Sequence, residues 1–140
     1  MKFSNATATG GRIALALIFI LSGVGKLAAL GTSKAYIQSV GLPLPDLALF
    51  GAIAIELLGG LALALGLRTR LAALVLAGFS ILTAMIFHAQ FADQNQMIHF
   101  LKNVAIAGGL LQIAAFGATA FSLDGMFARS GFNRSPIAQS

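Results

Sequence analysis

Apolar residues in this chain come in four long runs rather than in alternation or narrow stripes. Residues 13–30 are interrupted by charge only at Lys26 and residues 47–67 only at Glu56, while 71–92 and 103–123 contain no Asp, Glu, Lys or Arg. A helix rises 1.5 Å per residue and the hydrocarbon core of a bilayer is about 30 Å thick, so about 20 mostly apolar residues cross it. The runs are too long for membrane β-strands and lack period-two alternation, and Ala, Leu and Gly dominate them. The pattern predicts an all-α integral membrane protein, a four-helix bundle with spans at about 12–30, 46–67, 70–91 and 98–121. The glycines within the runs suit close helix contact in lipid.

The intervening segments read as connections. Between the first two spans, Gly41, Pro43 and Pro45 enforce a turn, and Pro45-Asp46 opens the next helix. Leu67-Arg68-Thr69-Arg70 reads as a tight turn, Asp93-Gln94-Asn95-Gln96 as a polar turn, and 124–140 as a short, poorly ordered polar tail. Residues 1–140 form a single domain in this reading, with no internal repeat. Lys2 and Arg12 precede the first run as in a signal peptide, but the apolar stretch continues past Ser22 and Gly23 and no A-x-A site follows, which predicts a retained span.

Composition agrees with this reading. The 140 residues are 58% hydrophobic and 9% charged, against roughly 25% charged in an ordinary soluble domain, too few to cover a water-facing surface. The expected partner is the lipid bilayer. The net charge of +5 is not gathered into a basic run, so no nucleic acid partner is expected. With four spans both termini share a side, which holds Lys2, Arg12, Arg68, Arg70, Arg129 and Arg134, against Lys26, Lys34 and Lys102 on the other. The positive-inside rule then puts both termini in the cytoplasm. With no cysteine, disulfides, thiolate metal sites and thiol chemistry within this chain are excluded.

An ionisable residue inside a span costs about 2.5–3.5 kcal/mol on insertion scales, so each one needs a reason. Glu56 lies halfway along the second span, too deep to reach water, and shares an i+4 stripe with Ala52, Gly60 and Ala64, which turns it into the bundle. It is either a protonated or paired carboxyl that ties helices together, or a proton acceptor or head-group anchor. Lys26, on a seven-residue stripe with Arg12 and Phe19, either snorkels to the interface or turns inward to pair with Glu56. His88 ends the third span, sharing a face with Ala77, Ile81 and Ala84. His99, Lys102 and Asn103 open the fourth span and share one face. Both histidines sit near the interface, so no metal site is expected. Lys26, Glu56, His88, His99, Lys102 and Asn103 all fall in the outer half or at the midplane. They predict either a polar pocket for an anion or a quinone head group, or mutual pairing that fixes helix order.

These residues sit in stretches that resemble the DoxX family of small four-helix bacterial inner-membrane proteins, in particular its short members described as quinol oxidase subunits. The matching stretches are RIALALIFILSGVGKL, YIQSVGLP, ELLGGLALALGLRTRLAALVLAGF, TAMIFHAQF and FLKNVAIAGGLL. The resemblance extends over about 11–127. It implies a multi-pass inner-membrane subunit linked to quinone or sulfur-compound redox chemistry, with polar family positions at Arg12, Lys26, Glu56, His88, Lys102 and Asn103. On this reading Glu56 and Lys102 polarise a bound head group, and His88 or His99 handles protons. The electrons come from bound quinone or a redox partner protein. The alternative is a non-enzymatic scaffold, or a bundle that binds or moves a small molecule, in either case suited to homo-oligomer formation.

Overall fold

The computed structural model describes residues 2–132 and contains six helices among them. These are α1 (Lys2–Ala28), α2 (Leu30–Ser39), α3 (Pro45–Leu65), α4 (Thr69–Phe87), α5 (Gln94–Phe116) and α6 (Leu123–Phe132). Four of them, α1, α3, α4 and α5, are long and apolar enough to cross a membrane. The fold is a helical membrane bundle. Its outer surface carries Leu21 at 67%, Leu58 at 70% and Met85 at 60% exposure among many other large apolar side chains. A surface so apolar has lipid, not water, as its solvent.

Several boundaries differ from the pattern-based reading, each for a local reason. Helix α1 begins at Lys2, because no proline interrupts the segment before Arg12 and the Gly10-Gly11 pair is carried within the helix. The segment read as a connection after the first span contains α2, set off from α1 by a break at Ala29 (φ −137°, ψ 57°). Only 40–44 turn the chain, with Gly41 and Leu44 both in left-handed backbone. An exposed pair between Lys34 and Asp46, 3.0 Å apart, links α2 to the first turn of α3. The polar turn before the fourth span is largely the start of α5. The Asp93 side chain caps it by accepting from the amides of Asn95 (2.8 Å) and Gln96 (3.4 Å). The tail expected from 124 onward forms α6 through Phe132, and 133–140, with Arg134, lie outside the described residues.

Helices α4 and α5 form the most extensive antiparallel pair, α3 packs on α4, and α1 runs along α3 with a lesser contact to α5. The core between them is built from small and medium side chains, among them Ala16, Leu63, Ala73, Leu76, Ala77 and Leu110. Where α1 crosses α3, a Cβ on Gly60 would lie 2.9 Å from Ile20 Cγ1, and one on Gly23 would lie 2.8 Å from the Leu57 side chain. Only glycine permits this approach.

Helix α3 ends in a Schellman motif. Gly66 is left-handed at φ +69°, the Leu67 amide bonds to the Ala62 carbonyl (2.8 Å), and the Gly66 amide bonds to the Leu63 carbonyl (3.2 Å). The start of α6 is clasped to this turn. Asp124 accepts from the Arg68 amide (2.8 Å), the Thr69 amide (2.8 Å) and the Thr69 hydroxyl (2.7 Å), and so caps α4 from a distant part of the chain. The Asp124 amide in turn donates to the Gly66 carbonyl at 2.9 Å. Buried Arg12 closes the arrangement by donating through Nη2 to the Phe121 carbonyl at 2.8 Å.

Burial alone would raise the Asp124 carboxyl. The Thr69 and Arg68 hydrogen bonds and the Arg12 charge outweigh it and hold the group below the ordinary carboxylate value. A depressed folded pKa gives stability that is fully present above the unfolded value of about 3.9 and is lost as pH falls through the folded value. Asp124→Ala is therefore expected to lower stability by about 1–2 kcal/mol, the usual size of a lost helix cap. It should also flatten the acid limb of the unfolding-versus-pH curve, as measured by thermal melts in detergent.

Candidate functional site

Within α3 the backbone widens into one π-helical turn over Ile55–Gly59, and Glu56 lies in it. Such turns recur at functional sites because they re-aim a side chain out of the regular helical repeat. Glu56 is 4% exposed. Its carboxylate is met from α1 by two residues one helical turn apart. Lys26 Nζ donates to Glu56 Oε1 and Oε2, each at 2.9 Å, and to Ser22 Oγ at 2.8 Å. Ser22 Oγ donates to Glu56 Oε1 at 2.9 Å. Of the two readings of Lys26, the inward-facing pair is the one observed. Burying the Glu56 charge is tolerable because the partly exposed Lys26 ammonium reaches both carboxylate oxygens and the serine hydroxyl joins the same network.

This network forms part of the wall of a cavity of about 770 Å³ bounded by α1, α2, α3, α4 and α5. Most of the wall is apolar, with Ile18, Phe19, Leu47 and Ile106 among its residues, and Tyr36 of α2 stacks on Phe87 of α4 with ring centroids 5.3 Å apart. Ser80, Thr83, His88 and Asn103 also line it. The Thr83 hydroxyl is committed to the Ser80 carbonyl at 3.0 Å. Ser80 Oγ is buried and makes no hydrogen bond among the described residues, which leaves one donor on the wall unused.

The structure brings four of the six expected pocket residues to this cavity: Lys26, Glu56, His88 and Asn103. His88 Nδ1 lies 2.9 Å from Gln96 Oε1, so with the amide in this orientation the ring donates there and leaves Nε2 as an acceptor. His99 is exposed and outside the lining, but its ring stacks on His88 with centroids 5.1 Å apart. Asn103 donates to the His99 carbonyl at 3.0 Å. Lys102 is exposed and does not line the cavity. Of the three residues expected to share its helix face, His99 and Lys102 are exposed and Asn103 alone reaches the lining. Ser22, Tyr36 and Ser80 were not singled out from sequence. Ser22 had a legible signal in its i, i+4 spacing to Lys26, whereas Tyr36 lay in a segment read as connection.

The profile of the DoxX family matches residues 7–89, which takes in most of α1, all of α2 to α4 and the whole Lys26–Ser22–Glu56 network. The chain belongs to the DoxX family. Among its relatives, the inner membrane protein YqjF of Escherichia coli (strain K12) is 40% identical over 113 residues, covering 81% of this chain and 85% of that protein. The inner membrane protein YphA of the same organism is 37% identical over 118 residues, covering 81% and 84%. No solved structure matches the chain. With four membrane-length helices and these relatives, the chain is a small multi-pass inner-membrane DoxX protein.

Proposed function

We propose that this protein is a membrane subunit that binds a quinone in the cavity between α1, α2, α3, α4 and α5. The observation that carries the reading is a charged and hydroxylated cluster, Lys26, Ser22 and Glu56, on the wall of a largely apolar cavity of about 770 Å³. That volume falls within the range of small-molecule sites, and apolar walls with a few converging polar groups are their usual composition. Quinone carbonyls accept hydrogen bonds; the uncommitted Ser80 hydroxyl is a donor for one, and the Lys26 ammonium becomes one by giving up one of its three present acceptors on Glu56 and Ser22. Reduction of a quinone consumes two electrons and two protons. Glu56 is the group suited to exchange a proton with the ring oxygen, and His88 links the cavity towards the exposed His99. The electrons pass to or from a redox partner protein. Lys102, outside the lining, takes no part in this reading. We also infer that both termini face the cytoplasm, because Arg12, Arg68, Arg70 and Arg129 gather at one end of the bundle.

The test is to purify the full chain from membranes in mild detergent, extract it with organic solvent and quantify quinones. A near-stoichiometric quinone in the wild type, reduced at least tenfold in Glu56→Gln, is the expected result. A wild type free of quinone, or a quinone content unchanged by the substitution, would leave the cluster as a helix tie and the bundle as a scaffold or carrier.

A further inference from the structure

At the opposite end of the bundle, where α3 turns into α4 and α5 into α6, a second, open concavity of about 540 Å³ is lined by Arg68, Thr69, Arg70, Leu71, Phe116 and Asp124, among others. Both arginine side chains are exposed and make no hydrogen bond among the described residues. Arg68 also occupies left-handed backbone, φ 44° and ψ 46°, a conformation that is costly for a residue with a Cβ. The one acid in the wall is already committed. Asp124 receives three hydrogen bonds from Arg68 and Thr69 backbone and hydroxyl groups, and the Arg12 charge acts on it from behind. The two free guanidinium groups are therefore left facing the concavity with no counter-charge of their own.

The position matters as much as the charge. Helix α4 is 19 residues long, about 28 Å at 1.5 Å per residue, so its first residues stand at the boundary between hydrocarbon and head groups. Apolar side chains flank the arginines on the lipid side, with Phe116 at 78% and Leu71 at 54% exposure. We propose that this concavity binds the phosphate of an anionic phospholipid, held by Arg68 and Arg70, with its acyl chains lying over Phe116 and Leu71. A guanidinium fork matches phosphate oxygens in pairs. An anionic lipid is favoured over a zwitterionic one because Arg12 and Arg129 add positive charge at this end, which repels a choline group.

Native mass spectrometry of the full chain, delipidated in detergent and titrated separately with phosphatidylglycerol and phosphatidylcholine, tests this. One phosphatidylglycerol is expected to bind at least tenfold more tightly than phosphatidylcholine, and the Arg68→Gln/Arg70→Gln double variant should fall to the phosphatidylcholine level. Lys34→Gln, at the other end of the bundle, should behave as wild type. Arg70→Lys, which keeps the charge but loses the fork, should lie between. Equal binding of the two lipids, or a double variant that keeps its preference, overturns the proposal. Displacement of the lipid by millimolar inorganic phosphate would show a site for free phosphate instead and also overturns it. If the double variant fails to fold, the wild type decides alone: its phosphatidylglycerol preference must weaken as salt is raised, and an unchanged preference counts against the site.

Discussion

Replacing Lys26 by methionine is expected to destabilise the bundle by about 3 kcal/mol or more, the usual cost of leaving one member of a buried ion pair without its partner. Glu56 is 4% exposed, and once the ammonium is gone only Ser22 Oγ still bonds to its carboxylate among the groups now in contact with it. The double variant Lys26→Met/Glu56→Gln should recover most of that loss, because neither charge then remains to be desolvated. Glu56→Gln alone should cost less than Lys26→Met, since the Lys26 side chain is 28% exposed and can shift its ammonium towards the interface. Unfolding titrations in detergent–SDS mixtures would rank the three. If the single and double variants are equally destabilised, the pair is not what holds α1 against α3.

The second large effect is expected at Gly66. Its φ of +69° alone costs an alanine about 1 kcal/mol, as it does at Gly41, where φ is +78° and a Cβ would meet nothing within 4 Å. At Gly66 the new methyl would overlap Arg12 Nη1 and the Ser122 side chain. Arg12 cannot retreat cheaply: it is 4% exposed and its Nη2 bond anchors the segment before α6. Its Nε and Nη1 already lack hydrogen-bond partners among the described residues. Gly66→Ala should therefore cost about 3 kcal/mol or more and Gly41→Ala about 1 kcal/mol. Equal losses in thermal melts would mean that the guanidinium yields freely.

What could be read from the sequence follows from the length scale of each signal. The membrane-spanning helices are written in runs of about 20 apolar residues, and no neighbouring element can disguise such a run. The inward direction of Glu56 is similarly explicit, because small residues repeat on its face of the helix. Helix α2 was missed because it mixes Gly31, Thr32, Ser33 and Gln38 with few apolar residues, so it has little periodicity to detect. The start of α5 was legible in principle, since Asp93 is a strong cap, but its polar neighbours read equally well as a turn. Two features were beyond any local reading. The Asp124 clasp joins residues 55 apart at Thr69, and the lining of the cavity depends on how α2 folds back over α3. Lys102 shows the opposite error: residues grouped by helix face, such as His99 and Lys102, need not face the bundle.

The π-turn around Glu56 also bears on the stripe Ala52, Glu56, Gly60 and Ala64. In a regular α-helix each step of four residues overshoots a full turn by about 40°, so three steps would wind the stripe roughly a third of the way round the helix. A turn that takes more residues to complete gives part of that rotation back. The extra residue thus acts as a phase correction. It keeps the small residues on either side of the carboxylate on one bearing, so that α1 can lie flat along α3 both above and below a buried charge.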